Sequence, residues 1–315
     1  MITTLITNTG NGFYYQNDSE NKLLFEACQK GEVKQVEELL RVNPQHFYLS
    51  DDRERTPIHL AAISGKVELF KYLAYRNLNC LRFRDRDKNT PLHLAAKEGN
   101  LEMVQEIIRL GKIQEGLSFL NRKNRNKQTP MMLAASKNHR EVVKALLDAG
   151  ASTSEEDFHE RTVFHISAAN GYWKLLTYLL NANPEGAQHQ DAFHHTPLDL
   201  AAASGNIKAI SKLLQCGAKV NHIAFDGRTA MHQAARNNRE LAMRLLHARG
   251  AFLNERERDS GMTPMHEAVF AKNVEAVKCL KEMGANLQVG DKRGDTPIVW
   301  ARYRHHPEII DILNS

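Results

Sequence analysis

Eight times along this 315-residue chain a threonine opens a short segment of nearly constant character. The fullest copies are Thr56-Pro57-Ile58-His59-Leu60-Ala61-Ala62, Thr90-Pro91-Leu92-His93-Leu94-Ala95-Ala96 and Thr129-Pro130-Met131-Met132-Leu133-Ala134-Ala135. Thr162, Thr196, Thr229, Thr263 and Thr296 head the others, and the steps between them are 34, 39, 33, 34, 33, 34 and 33 residues. Such a period constrains the fold more than length does. A unit this short cannot bury its apolar face alone, so neighbours must stack into one continuous core. The 315 residues, which by length alone suggest two globular domains, are therefore expected to form one quasi-linear array.

Each copy has a local rationale. Threonine is a good N-cap, its hydroxyl accepting from an otherwise unpaired amide of the first helical turn. Proline follows at the first helical position, where a missing N–H costs nothing. Paired alanines such as Ala61-Ala62 keep one helix face slim, so a second helix can approach. Gly65, Gly99, Gly171 and Gly205 are placed to end the first helix in a left-handed cap. A second apolar-periodic helix follows, as in Val142, Val143, Ala145, Leu146 and Leu147. It closes at Gly150-Ala151, Gly217-Ala218, Gly250-Ala251 and Gly284-Ala285 before a polar turn.

This T-P-L-H-x-A frame with a period near 33 resembles the ankyrin-repeat family from about Asn21 to the end. The resemblance implies an all-α ankyrin-repeat solenoid of stacked helix-turn-helix units. Their β-hairpin loops would lie across the helices, with tips extending beyond a concave face. Residues 1–20 are expected to be a flexible tail, with Phe13-Tyr14-Tyr15 packing on the first repeat. Nine repeats follow, at about 21–50, 51–84, 85–123, 124–156, 157–190, 191–223, 224–257, 258–290 and 291–315. The first is a cap: Leu24-Phe25-Glu26-Ala27-Cys28 with Gly31 fits the frame without Thr-Pro. Its second helix is polar outside at Glu32, Lys34, Gln35 and Glu37, as a terminal unit requires. The far end stops on the apolar face of Ile309, Ile310, Ile312 and Leu313, which is expected of a module cut from a longer protein or of a frayed end.

Composition narrows the function classes. No apolar run approaches the roughly 20 residues of a membrane helix, and Met1–Asn8 lacks the layout of a secretion signal. The cysteines at 28, 80, 216 and 279 lie in different repeats without C-x-x-C pairing, which suits small core residues in a reduced, cytoplasmic setting. Among fifteen histidines, His59, His93, His165, His232 and His266 share the fourth motif position. There the resemblance implies an imidazole bonded to backbone between repeats. One per repeat, they cannot converge on a metal ion, and His194-His195 and His305-His306 lack the ligand spacing of a zinc site. No nucleophile elbow, phosphate loop or metalloprotease motif occurs. Enzymatic activity and cofactors are therefore not expected.

The net charge of +5 is small for this length but partly local. Arg122, Lys123, Arg125 and Lys127 have no acid among them, and Arg82, Arg84, Arg86 and Lys88 precede them in the neighbouring hairpin. This basic ridge suits an acidic or phosphorylated protein segment better than nucleic acid, which favours a longer basic surface with interleaved aromatics. The resemblance implies that partner-contacting positions are the hairpin tips and the two residues before the first helix's terminal glycine. They map onto Arg86 and the ridge, then Phe158 and Arg161, Phe193 and His195, and Phe225, Arg228 and Arg236. Later positions are Phe270, Arg302 and Tyr303.

Aromatic side chains are unusual in solvated turns. Phe158, Phe193 and Phe225 thus either form an exposed row about 10 Å apart or fold back as staples between neighbours. Trp173 and Trp300 are expected to face the core. Glu54, Lys88, Lys127, Glu160 and His194 stand where the family usually has glycine, so those tips are expected to be reshaped. The five extra residues near Lys112–Gly116 are expected to protrude as a loop. The reading is a monomeric, non-enzymatic, protein-binding scaffold or adaptor of the cytoplasm (of a host's cytosol for a secreted effector). The alternative is a regulatory or targeting segment of a larger enzyme, channel or bacterial effector.

Overall fold

The computed structural model describes Asn8–Thr9, Gly12–Phe13 and residues 18–315. Most of the tail, with Tyr14 and Tyr15, lies outside the described residues. What is described of it is a two-residue antiparallel pair, β1 (Asn8–Thr9) with β2 (Gly12–Phe13), and the start of the first helix. The chain divides into two compact units, Met1–Phe158 and His159–Ser315.

In the first unit the helices come in four pairs. They are α1 (Asp18–Lys30) with α2 (Val33–Val42), α3 (Pro57–Ser64) with α4 (Val67–Arg76), α5 (Pro91–Glu98) with α6 (Leu101–Glu115), and α7 (Pro130–Ser136) with α8 (Arg140–Asp148). The leading helices α1, α3, α5 and α7 pack in sequence on one another, and α2, α4, α6 and α8 form a second layer. Leading helices are buried nearly all round because they touch a partner and two neighbours. Ile58, Leu60, Ala61 and Ala62 of α3 are all buried, and so are the equivalents in α5 and α7. The trailing helices bury one stripe, as in Leu69, Phe70 and Leu73 of α4. Each large side chain so buried contributes about 1.5–3 kcal/mol.

The second unit repeats the scheme with five pairs. They are α9 (Val163–Ala169) with α10 (Trp173–Ala182), α11 (Pro197–Ser204) with α12 (Ile207–Gln215), α13 (Ala230–Arg236) with α14 (Glu240–Ala248), α15 (Pro264–Phe270) with α16 (Val274–Glu282), and α17 (Pro297–Tyr303) with α18 (Pro307–Asn314). Leading helices again pack in order, and so do trailing ones. No helix among the described residues is long and apolar enough to cross a membrane.

Three details differ from the sequence-based expectations. The inserted residues do not form a loop: they lengthen α6 to 15 residues, against 10 in α4, leaving Ile113 and Leu117 exposed. Gly111 permits this, because a Cβ there would stand 2.6 Å from the Phe119 ring that folds under the extension. Trp173 and Trp300 are half-buried rather than core-facing. Lys208 Nζ lies 4.4 Å from the Trp173 ring centroid, and Trp300 Nε1 donates to Asp291 at 3.0 Å. Finally, Gly-Ala is only one way to end a trailing helix. After α2, α4 and α10 the chain turns through Asn43, Asn77 or Asn183 into a 3-10 helix. The side-chain Oδ1 atoms of Asn43 and Asn77 accept from the backbone amides of Gln45 and Asn79, at 3.1 and 3.0 Å. Cys28, Cys80 and Cys279 are buried, and burial pushes their thiols up to about 12, 12 and 11.

Candidate interaction surface

The turns before the N-cap threonines are shaped by their first residue. In the first unit Asp51 Oδ1 accepts from the Arg53 and Arg55 amides at 2.9 Å each. Asp85 Oδ1 accepts from Asp87 and Asn89 at 3.0 and 2.7 Å, and Asn124 Oδ1 from Asn126 and Gln128 at 3.0 and 2.9 Å. A backbone bond closes each turn, Asp51 N–H to Arg55 O at 3.1 Å and its two equivalents at 3.0 Å. So bracketed, Glu54, Lys88 and Lys127 adopt φ of 59°, 61° and 57°. The tips are therefore not reshaped where glycine is missing. The acidic or amide side chain that opens the turn holds a left-handed residue that costs about 1–2 kcal/mol. In these three turns the opening residue stands five before the threonine, a spacing legible in the sequence.

Main-chain bonds join successive tips. Arg86 N–H donates to Arg53 O at 2.8 Å, Arg125 N–H to Asp87 O at 2.7 Å, and Phe158 N–H to Asn126 O at 3.0 Å. On this frame Arg86, Arg125 and Lys127 are exposed, whereas Arg122 and Lys123 are half-buried. Lys123 pairs with Glu155 at 2.9 Å, so the ridge is partly neutralised by the following loop, which its sequence neighbours did not suggest. Arg125 Nη2 donates to Arg86 O at 2.6 Å. Phe158, 67% exposed, has Lys127 Nζ 6.0 Å from its ring centroid.

In the second unit Asp191 Oδ1 accepts from the Phe193 and His195 amides at 2.9 Å each, and His194 is left-handed at 60°. Ala192 N–H donates to His159 O at 3.0 Å and Phe225 N–H to Phe193 O at 3.0 Å. Phe193 sits one position later in its turn than Phe225 does, and the tip bond runs directly between the two residues. Their rings are 59% and 61% exposed. The Phe225 ring meets His194 edge-on at 5.9 Å and Arg258 at 5.6 Å. Ala224 cannot bracket its turn, and there Asp226 Oδ1 takes the Arg228 amide instead at 3.0 Å.

Three residues expected to contact a partner are engaged internally. Arg228 is half-buried: its Nε donates to Glu267 Oε1 and its Nη1 to Asp226 Oδ2, both at 2.7 Å. Glu267 is 1% exposed, and Arg236 Nη1 lies 3.5 Å from its other oxygen. Arg228 is thus a counterion for a buried carboxylate, and only the exposed part of Arg236 remains open to solvent. His195 is half-buried with Nδ1 3.6 Å from Asp191, whose carboxylate raises the imidazole's affinity for protons. Burial would raise the Asp191 carboxyl, but bonds from His195 and the Phe193 amide outweigh it and hold it below the usual range. Arg161 is half-buried at the end of its turn.

The fourth-position histidines sit behind the tips, wholly buried. In each, Nδ1 accepts the N–H of the threonine three residues back at 3.1–3.2 Å. It therefore carries no proton, and Nε2–H donates to a carbonyl of the next turn: Phe83, Gln128, His195, Met262 or Asp295 at 3.0–3.2 Å. Desolvation lowers His59, His93, His165 and His232 to about 4, against hydrogen bonds and nearby carboxylates that oppose it. Asp199 occupies this position once, accepting from Thr196 N and Oγ1 at 2.7 and 2.8 Å, and burial raises its carboxyl. Among the described residues no group of three His, Cys, Asp or Glu is placed to hold a metal ion.

A family model for ankyrin repeats in sets of three copies matches residues 2–83, 24–115, 77–157, 109–187, 164–257 and 231–315. Human inversin is similar at 29% identity over 170 residues, 53% of this chain and 15% of inversin. The mouse B-cell lymphoma 3 protein homolog is 30% identical over 174 residues, 54% of this chain and 38% of that protein. The crystal structure of the ankyrin repeat domain of Bcl-3 superposes with a TM-score of 0.61 at 30% identity, covering 73% of this chain and all of that one. The chain thus spans 15–38% of the length of these two curated relatives.

Proposed function

Because the chain belongs to the ankyrin-repeat family, we propose that it is a non-enzymatic scaffold or adaptor that captures a partner protein on its turn tips. Repeats of this family generally mediate protein–protein interaction. The observation that carries the reading is the pair Phe193 and Phe225. Two rings about 60% exposed stand on neighbouring tips joined by one main-chain bond, the Phe225 ring flanked by His194 and Arg258 and the Phe193 ring by His195. A partner can bury them at little cost in ordering, since the surface is organised beforehand. Aromatic residues of this kind contribute ~2 kcal/mol or more when an interface covers them.

The double change Phe193→Ser/Phe225→Ser tests the proposal. Proteins cross-linked to the wild-type chain in cells should be lost, with the thermal midpoint within about 2 °C of wild type. A midpoint lowered by many degrees with capture retained would instead make the rings staples. A cytoplasmic, monomeric protein is the setting proposed for this activity. A second reading, a regulatory or targeting segment of a larger protein, is supported by the relatives, whose matched repeats occupy 15–38% of longer chains. A reading frame continuing past Ser315 into another domain would support it.

A further inference from the structure

The first unit carries a second row with different chemistry. Arg86 and Arg125 occupy the same exposed place in consecutive turns, four residues before the N-cap threonine, and Phe158 holds that place in the next turn; Lys88 and Lys127 stand beside the two arginines, and Arg53 lies against Arg86. Against these five cations the same turns expose two carboxylates, Asp52 and Asp87. Among the described residues Arg53, Arg86 and Lys88 form no ion pair, whereas Arg55 and Lys123 are committed to Asp51 and Glu155. The bonds Arg86 N to Arg53 O and Arg125 N to Asp87 O fix the tips to one another, and Arg125 is further held by Arg86 O. The row ends at the exposed ring of Phe158, itself bonded through its amide to Asn126.

We infer that this row binds an extended acidic protein segment in the polyproline II conformation, with a carboxylate at every third residue and an apolar residue at the Phe158 end. This rests on the protein-binding reading above but concerns a separate surface. The argument is one of matching periods. Packed helical layers lie roughly 8–10 Å apart, so the equivalent tip positions Arg86, Arg125 and Phe158 recur at about that interval. A polyproline II helix has three residues per turn and rises about 3.1 Å each, which puts every third side chain on one edge about 9 Å apart. A β-strand places residues i and i+3 on opposite faces and same-face neighbours only about 7 Å apart, so it falls out of step within two tips. A helix is worse still, because its carboxylates recur at about 5 Å. The backbone of such a segment keeps its own groups in water, so the contact needs no strand pairing with the tips.

The test uses the full chain and labelled nine-residue peptides with three Glu and a terminal Leu. In one, Glu recurs every third residue among Pro. In the second it alternates, and in the third the three are contiguous. Exposed charge contacts are each worth a factor of roughly 1.4 to 5, so the three-residue spacing should bind about tenfold more tightly than either control at low salt. Arg86→Ser/Arg125→Ser should remove that preference, leave the thermal midpoint unchanged, and spare capture through Phe193 and Phe225. Equal affinity for all three peptides would show a diffuse basic field and overturn the inference. So would tighter binding of a single-stranded oligonucleotide of equal charge, or no peptide binding at all. Loss of the Phe193/Phe225 capture with the peptide preference intact would instead fail the other surface and leave this one standing.

Discussion

Lowering the pH should weaken this protein well before its ordinary carboxylates titrate, and His93 isolates the cause. The folded imidazole is lowered to about 4 from 6.5, because it is buried with Nδ1 already accepting Thr90 N–H and Nε2–H already given to Gln128 O. The unfolded chain therefore binds a proton between these values when the folded chain does not. Stability rises with pH across that interval, is fully present above about 6.5 and is lost as pH falls toward 4. At pH 5 the unfolded imidazole is almost wholly charged and the folded one about one-tenth charged, a loss of about 2 kcal/mol relative to pH 8. His59 behaves alike, so the first unit should lose about 4 kcal/mol, a large part of the roughly 5–15 kcal/mol typical of a domain.

His93→Leu strips this contribution. At pH 8 it should cost about 2–4 kcal/mol, since Thr90 N–H and Gln128 O are left without the ring. By pH 5 that deficit should shrink by about 2 kcal/mol, because the wild type alone is still losing the His93 share. The first unit suits the experiment: in the second, His195 and Asp199 are shifted in the opposite sense and oppose the trend. Urea unfolding at four pH values between 8 and 5 measures the difference. A deficit that stays constant with pH would refute the assignment of His93 as a buried neutral donor.

Three further outcomes follow from the packing. Arg228→Leu should cost about 3 kcal/mol, as it strands the buried Glu267 carboxylate, whereas Glu267→Leu/Arg228→Leu should recover most of it; a double-mutant cycle by chemical unfolding measures the coupling. Gly227→Ala should destabilise more than Gly294→Ala, although both glycines have φ of 85°, because only at Gly227 would the Cβ come within 2.3 Å of the Arg258 amide. Paired thermal melts decide it. Gly111→Ala should lower stability by about 1–3 kcal/mol through the Phe119 contact, and Phe119→Leu should rescue it; equal losses in the single and double variants would count against that contact.

Threonine announces every leading helix from Pro57 to Tyr303, reinforced in most by proline or an alanine pair, because capping and close helix approach are local demands written in adjacent residues. The turns were less legible. Glycine's absence at Lys88 or His194 suggested altered tips, yet Asp85 and Asp191 enforce the same backbone from three residues away. The extra length before Gly116 suggested a loop, yet Lys112–Glu115 continue α6, and the Phe119 ring under Gly111 shows how the chain can do so. Arg228 looked like an exposed anchor, since its partner Glu267 lies 39 residues away on the next leading helix. Residues whose roles depend on the neighbouring repeat, such as Lys123 with Glu155, are read correctly only once the stack exists.

The tip-to-tip bonds have an evolutionary consequence. Donor and acceptor both belong to the main chain, as in Arg86 to Arg53 or Phe225 to Phe193, so alignment is indifferent to what the side chains are. Nineteen of the twenty amino acids can supply the donor, and proline alone cannot. Such a surface can drift freely from arginine to phenylalanine, acquiring and discarding partners by single codon changes while the scaffold beneath keeps its register.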